Sequence, residues 1–186
     1  MKHTGYIAYL VNTIALFSML GGIACSSVSS TPAPAFSGPQ ATVLHAIDGD
    51  HLKIQLENRK YIVRLEGIDA PEMDQPYGIA AQRTLAKLVE RKRVQIVGLN
   101  PSPLTPERVT ARVIVRGKDI NEKLLINGLA WILLENTNQR YADIVEEARA
   151  RRVGVWQDHN SRPPWEHRAM RNATTRKIQA RMNKLR

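Results

Sequence analysis

The sequence has a single cysteine, Cys25, in 186 residues, so no disulfide can form within the chain. It has no internal repeat, which excludes an array of stacked copies. It is short of acid: 17 Asp and Glu face 27 Lys and Arg, a formal charge of +10. An excess of that sign points to polyanionic partners, either nucleic acid or an anionic membrane surface. The one long apolar stretch, residues 7–20, is interrupted by Asn12 and Thr13. It falls short of the ~20 apolar residues that a membrane-spanning helix needs.

What is present is enough for one packed core, since 43% of the residues are hydrophobic. Residues 1–25 read as an export signal: Lys2, the apolar stretch, then Gly21-Gly22-Ile23-Ala24-Cys25. The cysteine sits where small residues end the apolar run, and lipidation of Cys25 with membrane attachment explains that placement best. Cleavage near Ala24 and an uncleaved anchor are the other readings. Bacterial lipoprotein signals usually carry Leu three residues before the cysteine, where this chain has Gly22. Each reading places the working domain outside the cytoplasm, in the bacterial cell envelope or the extracellular space.

Residues 26–40 are rich in Ser, Thr, Pro and Gly and read as a flexible linker. The domain is expected over residues 41–168. Residues 43–47 read as a strand, Asp48-Gly49 as a hairpin turn, and Leu52, Ile54 and Leu56 as the apolar face of a returning strand. On a third strand Tyr61, Val63 and Leu65 alternate inward, which turns Arg64 and Glu66 outward. Ala81, Leu85, Leu88 and Val89 lie on one side of a helix, and residues 94–97 and 109–115 resume strands. Two further helices follow, the first closed by Gly128 and the second, on Tyr141, Ile144, Val145 and Ala148, closed by Gly154. Five short strands with antiparallel connections predict an α+β fold, a five-stranded β-barrel of the oligonucleotide-binding type with about three packed helices.

Two acidic clusters stand near strand ends, Asp48-Gly49-Asp50 and Asp69-Ala70-Pro71-Glu72. Carboxylates from two neighbouring loops could supply part of the oxygen shell that a hard cation such as calcium takes. Taken singly each cluster is also ordinary turn chemistry. Arg64 alone would be a solvated charge on an exposed strand face, and His51 an ordinary strand histidine.

The runs Ala46-Ile47-Asp48-Gly49-Asp50 and Arg64-Leu65-Glu66-Gly67-Ile68-Asp69-Ala70-Pro71-Glu72 together resemble the signature of the staphylococcal nuclease (thermonuclease) family. Arg108, Ala111, Gly117, Asn121-Glu122 and Asn127-Gly128-Leu129-Ala130 keep that family's spacing, and Gly154-Val155-Trp156 with Pro163-Pro164-Trp165-Glu166 resembles the ending of its bacterial members. The resemblance implies a calcium-dependent endonuclease that hydrolyses DNA and RNA to 3′-phosphate and 5′-hydroxyl ends and acts as a monomer. It implies that Asp50, Asp69 and the carbonyl of Ala70 bind Ca2+. Glu72 would be the general base, with Arg64 and Arg108 holding the phosphate.

The chain departs from the family pattern at several places. Glu107 precedes Arg108 where a glycine is usual, His51 replaces a Thr, Ala80 stands where an acid is common, and Leu134 falls near a nucleotide-contacting tyrosine. Trp131, Trp156 and Trp165 are expected to pack the core and the chain end rather than to stack on bases. A catalytically silent nucleic-acid-binding barrel is the alternative, but silent members tend to lose the acids that this chain keeps. Between Arg162 and Arg186 stand eight Lys or Arg and one acid, so that segment holds +7 of the charge. Residues 169–186 are expected to be a basic C-terminal tail that touches nucleic acid or a membrane surface, with the site forming without it.

Overall fold

The structure, a computed structural model, describes residues 37–185; the export segment, Cys25 and residues 26–36 of the linker lie outside the described residues. Five strands carry the architecture: β1 Gln40–Ala46, β2 His51–Leu56, β3 Arg59–Leu65, β5 Arg93–Pro101 and β6 Arg108–Val115. Three two-residue strands, β4 Ile68–Asp69, β7 Lys118–Asp119 and β8 Trp131–Ile132, fill the connections. The helices are α1 Gly78–Val89, α2 Ile120–Ile126, α3 Gln139–Ala150 and α4 Pro164–Lys184, with a 3₁₀ turn over Gly154–Gln157.

β1 pairs antiparallel with both β2 and β5, β2 with β3, and β5 with β6. The ring is then closed by β3 lying parallel to β6, so the five long strands have no free edge among themselves. This is the α+β barrel expected, with one difference: the closing pair is parallel. It joins Ile62–Leu65 to Arg108–Ala111, residues too far apart in sequence for turn signals to reveal.

The alternation of β2 and β3 carries Leu52, Ile54, Val63 and Leu65 into the barrel, where each is fully buried. Ile96 of β5 and Val113 of β6 meet them. α1 covers one end with Ala81, Leu85 and Val89, and α2 another side with Ile120, Leu124 and Leu125. The linker's last residues belong to the barrel rather than to the tether, because the Ile96 N–H donates to the Pro39 carbonyl at 2.9 Å.

Two glycine assignments change their reason. Asp48-Gly49 is not a two-residue hairpin turn of the left-handed kind; a Cβ on Gly49 would lie 2.6 Å from the Ala70 Cβ and 2.8 Å from the Ala81 Cβ. The position needs glycine because the β1–β2 loop is pressed onto the β4 loop and onto α1. α3 ends at Ala150, followed by Arg152 with φ 52°, so Gly154 does not close it. Gly154 is needed because its Cβ would lie 2.1 Å from the Gly128 carbonyl, where the two turns cross.

The tryptophans pack as expected: Trp131 and Trp156 meet edge to face at 5.5 Å, and the Arg149 guanidinium lies 4.4 Å over Trp156. The number of helices is four, not three, because residues 164–184 form one helix of 21 residues. The expected division between domain and tail at Arg168 falls inside it. No helix among the described residues is long and apolar enough to cross a membrane.

Leu124 is fully buried whereas Leu134 is 90% exposed. Leu124→Ala is therefore expected to cost about 2–5 kcal/mol and Leu134→Ala no more than about 0.5 kcal/mol, both read from urea denaturation midpoints.

Candidate active site

The β1–β2 loop is built around Asp48, whose Oδ1 accepts the backbone N–H of Asp50 at 3.0 Å and of His51 at 2.7 Å. That local turn aims the Asp50 side chain inward, where it is 4% exposed. The Asp50 carbonyl accepts the Leu65 N–H at 2.9 Å and the Asp50 Oδ2 accepts the Ala70 N–H at 3.4 Å. The loop is thereby fixed to β3 and to the segment after β4. β4 brings Asp69, 2% exposed, against it. Asn121, fully buried at the start of α2, donates to the Glu66 carbonyl at 2.9 Å and so holds the turn between β3 and β4.

Arg64 reaches across both acids from the outer face of β3. Its Nη2 lies 3.1 Å from Asp69 Oδ1 and 3.6 Å from Asp50 Oδ2. One cleft of about 490 Å³ is lined by Asp48, Asp50, Arg64, Asp69, Ala70 and Glu72. Asp50, Asp69, Ala70, Glu72 and Arg64, proposed from the sequence as site residues, thus stand together. Arg108 does not line that cleft. The parallel register pairs Arg108 with Ile62 and Thr110 with Arg64, so Arg108 is on the same outer face, one pleat from Arg64. It lines an adjoining hollow with His51, Arg64 and Thr110.

His51 is not an ordinary strand histidine. Its Nδ1 lies 3.1 Å from Asp48 Oδ1 and 2.8 Å from Asp50 Oδ1, with its side chain only 22% exposed. Burial works to lower its pKa, but the hydrogen bonds and charges of Asp48 and Asp50 prevail and raise it from 6.5 to about 9. Burial likewise works to raise the Asp48 carboxyl, and His51 with the backbone donors brings it down to about 2. For Asp50 burial prevails and pushes its pKa up, against the pull of His51 and Arg64.

The sequence reading also missed α4. Arg168 places Nη2 2.8 Å from Asp69 Oδ2 and Nη1 2.7 Å from Glu72 Oε1. Arg171 Nη2 approaches Glu72 Oε2 at 3.8 Å, and its Nη1 lies 3.4 Å from Asp74. The expectation that the site forms without residues 169–186 is corrected by Arg171, which lines the cleft together with Arg168, the last residue of the expected domain. Pro163-Pro164 followed by Glu166 could have signalled a helix start. Nothing in the sequence says that this helix lies against β4. Leu134, in contrast, lines a different hollow with Trp131 and Trp156.

The donor set fits a hard cation. Two buried carboxylates converge from different loops, and one ligand atom each from Asp48, Asp50 and His51 lie within 4.8 Å of one another. Oxygen donors dominate, as calcium and magnesium require, and a protonated His51 would not itself ligate. A polyanion could be held beside it by Arg64, which lines the cleft, and by Arg108, which lines the adjoining hollow.

Comparison with known proteins agrees with this geometry. The family model for staphylococcal nuclease homologues matches residues 62–158. The chain belongs to the staphylococcal nuclease family. The match includes Arg64, Asp69, Glu72 and Arg108 but begins after Asp50 and ends before Arg168. A micrococcal nuclease of Shigella flexneri is 29% identical over 170 residues, 83% of this chain and 95% of that protein. An uncharacterized endonuclease of Haemophilus influenzae is 30% identical over 157 residues, 83% of this chain and 81% of the relative. The staphylococcal-like nuclease CAN1 of Arabidopsis thaliana is 35% identical over 111 residues, and this chain covers 34% of its length. Membership and these relatives support a nuclease function on an oligonucleotide-binding-type barrel.

The His51 pair makes calcium-free stability depend on pH. Because folding raises the His51 pKa from 6.5 to about 9, its contribution is complete below about pH 6.5 and is lost as pH rises through about 9. Protein kept in chelator is expected to lose on the order of 1–3 kcal/mol across that window, measured by urea denaturation. His51→Asn should flatten the loss, and an unchanged slope in that variant would assign it to other groups.

Proposed function

We propose that the chain is a calcium-dependent hydrolase of DNA and RNA that cuts the phosphodiester backbone to leave 3′-phosphate and 5′-hydroxyl ends. The observation that carries this reading is the convergence of Asp50, Asp69, Ala70, Glu72 and Arg64 on one cleft. Asp50, Asp69 and the Ala70 carbonyl would hold the cation, which when bound supplies Lewis-acid polarisation of the phosphate oxygens. Action as a monomer belongs to the same proposal. Export, as a lipoprotein through Cys25 or as a secreted protein, belongs to the same proposal and is supported by the sequence of residues 1–25.

The protein's own groups have separable tasks. Arg64 lines both the cleft and the adjoining hollow, so a phosphate laid between them meets its guanidinium. Arg108, on the same face, meets the same strand next to it. A planar fork that stays charged suits a phosphate whose negative charge grows on its equatorial oxygens in the transition state. Only interactions that strengthen there accelerate the reaction. The Glu72 carboxylate takes a proton from water as the water oxygen bonds to phosphorus. The bond from phosphorus to the 5′-oxygen breaks, and that oxygen leaves with a proton from solvent.

Incubating the full chain with DNA and with RNA should give cutting that requires calcium at about 10⁻⁴–10⁻³ M and stops in chelator. Undiminished cutting in excess chelator would sink the calcium reading. Arg64→Ala is expected to lower turnover by about 10²–10³ with an unchanged far-UV circular dichroism spectrum. If Arg108→Ala cuts at the parental rate, the second phosphate contact lies elsewhere on this face.

Beyond Arg171, Arg176, Lys177, Arg181 and Lys184 of α4 are all exposed. These four cations are proposed to contact phosphates without reading sequence, each neutralised phosphate releasing counterions. Changing the four to Gln should flatten the slope of log Kd against log salt for a duplex bound to a Glu72→Gln background. Identical slopes would rule the helix out as a nucleic-acid arm.

A further inference from the structure

We propose that Arg168 is a positioning residue of the site, a clamp from the C-terminal helix that holds the carboxylates of Asp69 and Glu72 side by side. The proposal rests on the nuclease reading only for what the two carboxylates do; the clamp itself is a matter of geometry.

The docking of α4 is local and polar. Gln75 Nε2 donates to the Arg162 carbonyl at 3.2 Å, and Gln75 Oε1 accepts the Glu72 N–H at 2.8 Å. His167 Nε2 lies 3.0 Å from Asp74 Oδ1, where Arg171 also binds. These contacts bring the first two turns of α4 against residues 72–75, and from Ala169 onward every described residue of the helix is exposed. The apolar anchor is small, with Pro164 the one buried residue of α4. What the helix delivers is therefore a set of charged side chains at a fixed place.

The Arg168 fork spans two acids. Nη2 donates to Asp69 Oδ2 at 2.8 Å, while Nη1 donates to Glu72 Oε1 at 2.7 Å and to Asp69 Oδ1 at 3.3 Å. Only a guanidinium has two parallel donors at the spacing needed to do this; an ammonium is a point charge. The recorded partners of the Glu72 carboxylate are Arg168 and Arg171, both from α4. The turn with Gln75 fixes the backbone of Glu72, and the helix fixes its side chain. A carboxylate on freely rotating bonds would be in position only part of the time, and misplacement by about 1 Å can cost 10²-fold in rate.

The clamp leaves room for a cation. An ionised carboxylate has about four lone-pair sites, and Arg64 and Arg168 make three contacts to Asp69, two on Oδ1 and one on Oδ2. The second site on Oδ2 remains. Arg168 therefore orients Asp69 from one side without using the whole carboxylate.

The test uses the full chain, comparing Arg168→Ala and Arg168→Lys with the parent and with Arg151→Ala, which removes an equal charge from an exposed position just after α3. In calcium-free protein, amide hydrogen exchange of residues 70–75 should quicken tenfold or more in both Arg168 variants and stay at the parental rate in Arg151→Ala. With calcium and a DNA oligonucleotide, Arg168→Ala should lose about 10–10²-fold in kcat with KM within about threefold of the parent. Added guanidinium should restore part of kcat in Arg168→Ala, and Arg168→Lys should stay impaired. Parental kcat with a raised KM would make Arg168 a substrate-binding cation and overturn the clamp, as would unchanged exchange. A parent that does not cut, but whose loop exchange still responds to Arg168→Ala, would overturn the nuclease reading and leave the clamp standing.

Discussion

Two carboxylates, Asp50 and Asp69, are almost fully removed from water within reach of a single guanidinium, and the rest of the site follows from the need to neutralise them. Desolvating an ionised carboxylate costs several kcal/mol unless charge and hydrogen bonds return it. Here the compensation comes from four directions. His51 and the Ala70 N–H serve Asp50, Arg64 lies between the two acids, and Arg168 serves Asp69. Such an arrangement is poor economy for stability alone, since apolar residues of similar volume would do as well. It is a sensible one for a site proposed to take a metal ion beside its protein cations and a phosphate chain on Arg64.

The barrel makes that convergence possible through small residues and one unusual pairing. A Cβ on Gly49 would overlap the Cβ atoms of both Ala70 and Ala81, so any larger group there would push the two acidic loops apart. The parallel closure of β3 on β6 sets Arg64 and Arg108 on one outer face, with Val63, Leu65, Val109 and Ala111 buried behind them. Core packing and the proposed phosphate contacts are thus two faces of the same pair of strands. A shift of one residue in that pairing would turn Arg108 inward while Arg64, held by the register of β3 with β2, stayed outside.

Much of this was legible in the sequence because it is local. Period-two alternation put Arg64 outside and Val63 and Leu65 inside, and the run from Arg64 to Glu72 carries the proposed phosphate contact, one buried acid and the proposed base within nine positions. Asp50 was legible from the same family signature. What the sequence did not reveal is what depends on distant contact. His51 looked like a strand residue because its acid partners bind it through the shape of the loop, not through strand spacing. Gly154 looked like a helix stop because its true neighbour, the Gly128 carbonyl, belongs to another turn. Arg168 lies 99 residues from Asp69 in sequence, and no periodicity links the two.

α4 was the hardest element to foresee, and the reason is physical. A helix is usually recognised by an apolar stripe that must be buried, and this one has none to bury beyond its first turn. Its stability has to come from a preorganised start, Pro164 at the first helical position with Glu166 in the first turn, and from the charge pairs that tie it to residues 69–74. A helix of 21 residues extends roughly 30 Å at 1.5 Å per residue, so its far end projects well beyond the cleft at which it begins. The same feature that hides it from pattern reading, a surface of cations with little apolar content, suits it to a partner that is itself a line of charges. The anchoring pairs near Asp69 and Glu72 then make the orientation of that cationic rod, and the orientation of the two carboxylates, consequences of one contact.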